Sequence, residues 1–203
     1  MDDETACQTV NEQRMIDRAL WDSAIELQGF LEACQYQFCF IGGIAYQRWG
    51  EPRVTDDMDV TVITGFGNER PVIQAVLRRY QARVSDASEF ALQTRVLLIQ
   101  DIAGFGIDMS LGALPFEERV VKRSSLWGVQ GLGHIRTCSA EDLVVLKAFA
   151  SRPQDWIDVE KVIIRQGQRL NRPLIIEELT PLAELKEDPE ILEHLQSLLL
   201  KHP

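Results

Sequence analysis

The chain has little that could tie it together by sulfur or metal chemistry. Its four cysteines, Cys7, Cys34, Cys39 and Cys138, form no Cys-x-x-Cys pair, which excludes the usual zinc spacings and leaves buried free thiols as the expectation. Histidine is scarcer still, at His134, His194 and His202, and no two are spaced to share a metal. No run of about 18 apolar residues offers a membrane span, and no charged-then-apolar leader opens the chain, so a cytoplasmic protein is expected. Positive charge is also short. Lys and Arg number 21 against 31 Asp and Glu, a net charge of −10. That disfavours extended, sequence-independent binding to DNA or RNA, which needs clustered cations. Local basic patches stay open, at Arg78, Arg79 and Arg83 or at Arg119, Lys122 and Arg123.

What is present is ordinary for a globular chain, with 45% apolar and 26% charged residues. A length of 203 residues suits one sizeable core. Residues 1–13 are polar and acidic and are expected to be flexible. Residues 14–138 carry mixed strand and helix patterns and read as the core. Residues 139–203 read as helices packed on that core, so that the whole forms one unit.

Periodicity orders the elements. Residues 15–35 predict an amphipathic helix, with Leu20, Leu27 and Leu31 among its apolar positions, and residues 37–41 a short aromatic strand. Gly42-Gly43 stops that strand, and residues 44–49 make a short helix. Residues 58–64 are a β-branched strand, 71–81 a helix, and 95–100 with 106–111 a closely linked pair that suggests an antiparallel hairpin. A charged helix over 116–123 and a β segment over 132–137 follow. Ser139 then caps a helix with Asp142 in the reciprocal position. Another helix spans 156–166, and from Pro173 the pattern is helical to the end, with Pro181 and Pro189 as interruptions. The class is α+β: a small mixed or antiparallel sheet, helices packed on one side, and a C-terminal helical appendage.

The candidate chemistry centres on Asp57 and Asp59. Strand side chains alternate, so both carboxylates share a face with α carbons roughly 6.5 Å apart. Two carboxylates on one face need a positive partner, and a divalent ion shared with nucleotide phosphates is a natural one. Gly42 and Gly43, where the chain turns into a helix, could present backbone N–H groups to the same phosphates. Asp108, inside an otherwise apolar strand, is the third candidate ligand. Taken singly, Asp-x-Asp also reads as the solvent face of an edge strand, and Gly-Gly as a turn. The ordered set is far more specific than either part.

That set resembles the polymerase-β-like nucleotidyltransferase superfamily. The string Arg53-x-Thr55-x-Asp57-Met58-Asp59 looks like the AbiEii-type branch, which includes toxins of type IV toxin–antitoxin and abortive-infection systems. So do the Asp108 strand ending in Leu111-Gly112, and Ser139-x-Glu141-Asp142-Leu143-x-x-x-Lys147 followed by Arg152, Asp155 and Asp158. The resemblance covers roughly residues 38–164. It implies Asp57, Asp59 and Asp108 as catalytic magnesium or manganese ligands. It implies Gly42, Gly43, Arg53 and Thr55 around a nucleoside triphosphate such as ATP, and Lys147 as a catalytic residue reaching toward phosphate. Arg152, Asp155 and Asp158 would shape the rear of the site. Many superfamily members carry Gly-Ser where this chain has Gly42-Gly43.

The implied reaction moves a nucleoside monophosphate from a triphosphate onto a macromolecule, a transfer RNA or a partner protein. Two alternatives share the fold: a modifier of small molecules of the aminoglycoside or lincosamide type, whose cationic acceptor would suit the acidic balance, and a catalytically silent nucleotide-binding member.

Overall fold

The computed structural model describes residues 18–203. The expected acidic N-terminus, the first turn of the first helix and Cys7 lie outside the described residues. Nine α-helices and seven strands are described: α1 Arg18–Ala33, β1 Phe38–Phe40, α2 Gly42–Trp49, β2 Asp57–Ile63, α3 Glu69–Leu77, β3 Gln81–Ala82, α4 Ala87–Thr94, β4 Val96–Gln100, β5 Gly106–Gly112, α5 Pro115–Arg123, β6 Ser125–Val129, β7 Gly133–Thr137, α6 Ala140–Ala150, α7 Pro153–Gln166, α8 Arg172–Lys186 and α9 Glu190–Lys201. Among these residues no helix is long and apolar enough to cross a membrane.

The strands form one mixed sheet in the order β3-β4-β5-β2-β1-β7-β6. The expected hairpin is present as the antiparallel β4–β5 pair. β2 lies parallel to β5 and antiparallel to β1. Alternation along the strands then sorts the faces. Phe38, Phe40, Met58, Val60, Val62, Ile107, Met109 and Leu111 point to one side, where they pack with α1, α3 and α4. Asp57, Asp59 and Asp108 occupy the intervening positions and so share the opposite face.

The expected C-terminal helical appendage packs against the other side of the sheet. Cys39, at the alternate position of β1, packs in a second apolar cluster with Tyr46 of α2, Phe116 and Val120 of α5, and the interior faces of α6 to α9. The C-terminal helices therefore join the N-terminal part through buried contacts of α2 and α5. The thiols of Cys39 and Cys138 are buried and free, while Cys34 is half-buried. Burial pushes the Cys39 thiol up to about 12, so it is unreactive at neutral pH.

Several local expectations need correction. The helix expected over 71–81 ends at Leu77, and Gln81 instead pairs with Gln100 as part of β3. Pairing with a neighbouring strand, which no local pattern reveals, decided that boundary. Strand β6 and helix α4 gave no clear signal: β6 is largely exposed, and α4 buries only Ala87 and Ala91. Pro181 does not interrupt its helix but lies inside α8, where Leu179 and Leu182 on either side are buried. Ser139 does cap α6, accepting the Asp142 N–H at 3.1 Å. The Asp142 carboxylate, however, takes bonds from Arg123 and from the Ser139 hydroxyl. Tertiary ion pairing has claimed the group that a local capping box would use.

Candidate active site

The register of β2 on β5 places Asp59 opposite Asp108 and Asp57 opposite Gly106. Three carboxylates thus meet on one face at one end of two adjacent parallel strands. Asp57 is exposed, while Asp59 and Asp108 are half-buried. β1 lies on the other side of β2, and its chain turns at Gly42 directly beside Asp59.

That turn explains both glycines. Gly42 has φ +54°, a left-handed conformation that favours glycine, and a Cβ there would collide with the Asp59 carboxylate. A Cβ on Gly43 would collide with the Thr55 hydroxyl. The Gly43 N–H donates to Asp59 Oδ2 at 3.4 Å, a long bond. The Thr55 hydroxyl bridges toward Asp57, donating to its Oδ1 at 3.3 Å. Thr55 therefore fills the space that a larger residue at position 43 would occupy, and its hydroxyl orients one carboxylate of the pair.

Electrostatics mark Asp59 as the stressed member. Burial first, then the nearby charge of Asp57, pushes its carboxyl up to about 6, against a small opposing pull from the Gly43 N–H. Asp108 adds to the repulsion and Lys147 relieves part of it. Crowding of this kind favours either a proton or a cation among the carboxylates. By donor chemistry, Asp57 and Asp59 fit a hard divalent ion, which takes oxygen ligands. Asp108 is engaged differently, by an ion pair with Arg83. Among the described residues no group of three acidic, histidine or cysteine side chains is arranged to hold a metal.

Behind the aspartates lies a second charged group. Lys147 is buried and its ammonium is held by Asp158 at 2.7 Å and Asp155 at 3.1 Å. It also lies over the Tyr46 ring, as does Arg53, which donates to Asp158 at 3.2 Å. The Arg53 Nε is buried without a hydrogen-bond partner. Arg152, largely exposed, pairs with Asp155 at 2.6 Å and lies close enough to feel the charges of Asp57 and Asp59. Burial pushes the Asp155 carboxyl up, but the bonds from Arg152 and Lys147 outweigh it and hold the group below its ordinary value.

All the residues singled out in the sequence thus fall in one region: Gly42, Gly43, Arg53, Thr55, Asp57, Asp59, Asp108 and Lys147. In the sequence Arg83 belongs only to a candidate basic patch with Arg78 and Arg79. Neither patch is free: Arg79 pairs with Glu26, Arg83 with Asp108, and Arg119 and Arg123 both with Glu178. No sequence signal tied Arg83 to Asp108, because the link runs through the pairing of strands β3 to β5.

No family model and no curated protein matches the chain. Similar solved structures include an antigenic nucleotidyltransferase-like protein from Paracoccidioides brasiliensis, with TM-score 0.47 and 12% identity over 88% of this chain and 91% of that one. A second is the antibiotic-resistance factor ANT(2'')-Ia, with TM-score 0.46 and 14% identity over 91% and 94%. A third is JHP933 from Helicobacter pylori, with TM-score 0.40 and 12% identity over 95% and 89%.

Proposed function

We propose that the chain is a nucleotidyltransferase that moves a nucleoside monophosphate from a nucleoside triphosphate, ATP among the candidates, onto a macromolecular acceptor. The observation that carries this reading is the convergence of Asp57, Asp59 and Asp108 on one sheet face beside the glycine turn. The resemblance of the local motifs to the AbiEii-type branch supports a transfer RNA or protein acceptor and a toxin–antitoxin or phage-defence setting.

In the reaction, an acceptor oxygen attacks the α-phosphorus, the bond from that phosphorus to the β-bridging oxygen breaks, and pyrophosphate leaves with the electron pair. The acceptor proton passes to a carboxylate of the site or to water. Asp57 and Asp59 would hold magnesium or manganese, which when bound supplies charge neutralisation to the phosphates. Positioning of donor and acceptor provides most of the remaining rate. Thr55 orients Asp57, and Gly42-Gly43 lets the backbone approach without a side chain in the way. Arg152, largely exposed, places positive charge near the carboxylates, where a triphosphate would meet it, while Lys147 and Arg53 are held behind them by Asp155 and Asp158.

The test is incubation of the purified chain with each α-labelled triphosphate, magnesium or manganese, and cell extract. Label transfer that drops at least about 1,000-fold in Asp57→Asn and Asp59→Asn supports the reading. Absence of transfer together with tight triphosphate binding would instead support a silent member of the fold. A second reading, a small cationic acceptor, is favoured by the net charge of −10. Drug resistance conferred on expression would support that acceptor, and its absence the macromolecular one.

A further inference from the structure

The cation beside Asp108 belongs to the chain itself. Arg83 follows β3, and its N–H donates to Leu98 O at 3.0 Å, extending the pairing of that strand by one residue. Leu98 is paired with Asp108, and Asp108 with Asp59. One row of the sheet therefore runs Arg83, Leu98, Asp108, Asp59. Ala82, its neighbour, packs toward the opposite, apolar face, so alternation turns Arg83 to the carboxylate face. Its side chain crosses Leu98 and pairs with Asp108. Gly106 leaves the space for it: a Cβ there would stand 3.0 Å from Arg83 Nη1 and 3.7 Å from the Asp57 Cβ. Among the described residues the ion pair recorded for Arg83 is this one.

We propose that Arg83 is the built-in second cation of the site, so that the chain takes a single divalent ion, on Asp57 and Asp59, with Asp108 neutralised by the guanidinium. The inference rests on the reading of those two aspartates as a metal-dependent transfer site. Charge supports one ion over two. Three carboxylates carry three negative charges, and one guanidinium with one divalent ion cancels them before a triphosphate arrives. A guanidinium keeps its charge throughout the working pH range, so unlike a bound ion it needs no loading. Arg83 is thus a positioning residue: it holds Asp108 in place and fixes positive charge on that side of the site.

The experiment counts manganese bound to the full chain at pH 7.5, with no nucleotide, from the paramagnetic resonance of the free ion. Wild type is expected to bind one ion, Arg83→Lys one, and Arg83→Gln two. Asp57→Asn is expected to weaken the first ion by about 10-fold or more, while Asp108→Asn changes it by less than about 3-fold, since only the former carboxylate is a ligand. Circular dichroism and a melting curve establish that each variant is folded. Two ions or none in wild type, an unchanged count in Arg83→Gln, or equal losses in Asp57→Asn and Asp108→Asn would overturn the inference. Failure of the transfer reading is read separately: one bound ion with no label transfer removes the reaction and leaves the ion arrangement standing. Label transfer with two bound ions does the reverse.

Discussion

Two groups of acidic side chains lie close together in this molecule and are treated in opposite ways. At the front, among the described residues, the side chains of Asp57 and Asp59 take one threonine hydroxyl and one long backbone bond, and Asp59 is pushed up to about 6. At the rear, Asp155 and Asp158 are more deeply buried, yet Lys147, Arg152 and Arg53 satisfy them, and Asp155 is held below its ordinary value. The same pattern recurs between α5, α6 and α8. There Arg123 joins Asp142 at 2.5 Å and Glu178 at 2.7 Å, and Arg119 adds a bond to Glu178 at 2.6 Å. The difference separates carboxylates that hold the fold from carboxylates kept short of partners. Unsatisfied charge at the front costs stability and leaves room for a ligand of opposite sign.

The contrast can be broken most strongly at Lys147. Lys147→Met would leave two buried aspartates with Arg53, Arg152 and Gln154 as their remaining side-chain partners, and should lower stability by about 3–5 kcal/mol. Urea unfolding at pH 7.5 measures it, and a loss under about 1 kcal/mol would mean that the rear group is not a structural ion network.

Next comes Gly42→Ala, which sets a Cβ against Asp59 on a left-handed backbone. A loss of about 2–3 kcal/mol is expected, together with a weakened manganese site. An unchanged melting temperature would show that the turn relaxes freely.

Asp59→Asn should move stability the other way. The folded chain keeps the Asp59 proton up to about pH 6, whereas the unfolded chain releases it near the ordinary value of 3.8. Between those values the folded state binds more protons, so the stability tied to the protonated carboxyl is full below the lower value and is lost as pH rises through the higher one. Removing the charge should therefore stabilise the metal-free protein by up to about 3 kcal/mol at pH 8 and by little at pH 4. Melting curves at the two pH values, in the presence of a chelator, test this. A variant less stable than wild type at pH 8 would sink the view of Asp59 as a stressed group.

The smallest effect is expected at the exposed pair of Arg70 and Glu89, 3.3 Å apart. Arg70→Ala should change stability by less than about 0.5 kcal/mol, because exposed ion pairs gain little over their hydration. Chemical denaturation against wild type provides the floor for the other comparisons.

Much of this was legible from local pattern. β2 could be recognised from its β-branched run, and the shared face of Asp57 and Asp59 follows from a period of two wherever that strand forms. The hairpin of β4 and β5 and the Ser139 cap are likewise local, since turn chemistry and capping act over a few residues. The role of Gly-Gly was only half visible. Its use as a turn could be read directly, whereas the close approach of Asp59 to Gly42 and of Thr55 to Gly43 depends on side chains 17 and 12 positions away. The two apolar clusters on opposite sides of the sheet were not separable either, because an apolar residue in a strand declares burial but not its neighbours.

Local order specifies most of the elements, though not β3, β6 or α4, and the residue types at the site: glycine where the backbone turns left at position 42, and aspartate at alternate strand positions. Which of those charges are paired follows only from the packing of distant segments. Lys147 looked like a lysine reaching for phosphate, yet it lies buried between two aspartates. Arg83 looked like part of a surface patch, yet it pairs with Asp108. Pairing of this kind is set by strand register and helix packing between distant segments. Electrostatic energy depends on separation in space and on desolvation, and neither is written in the local order of residues.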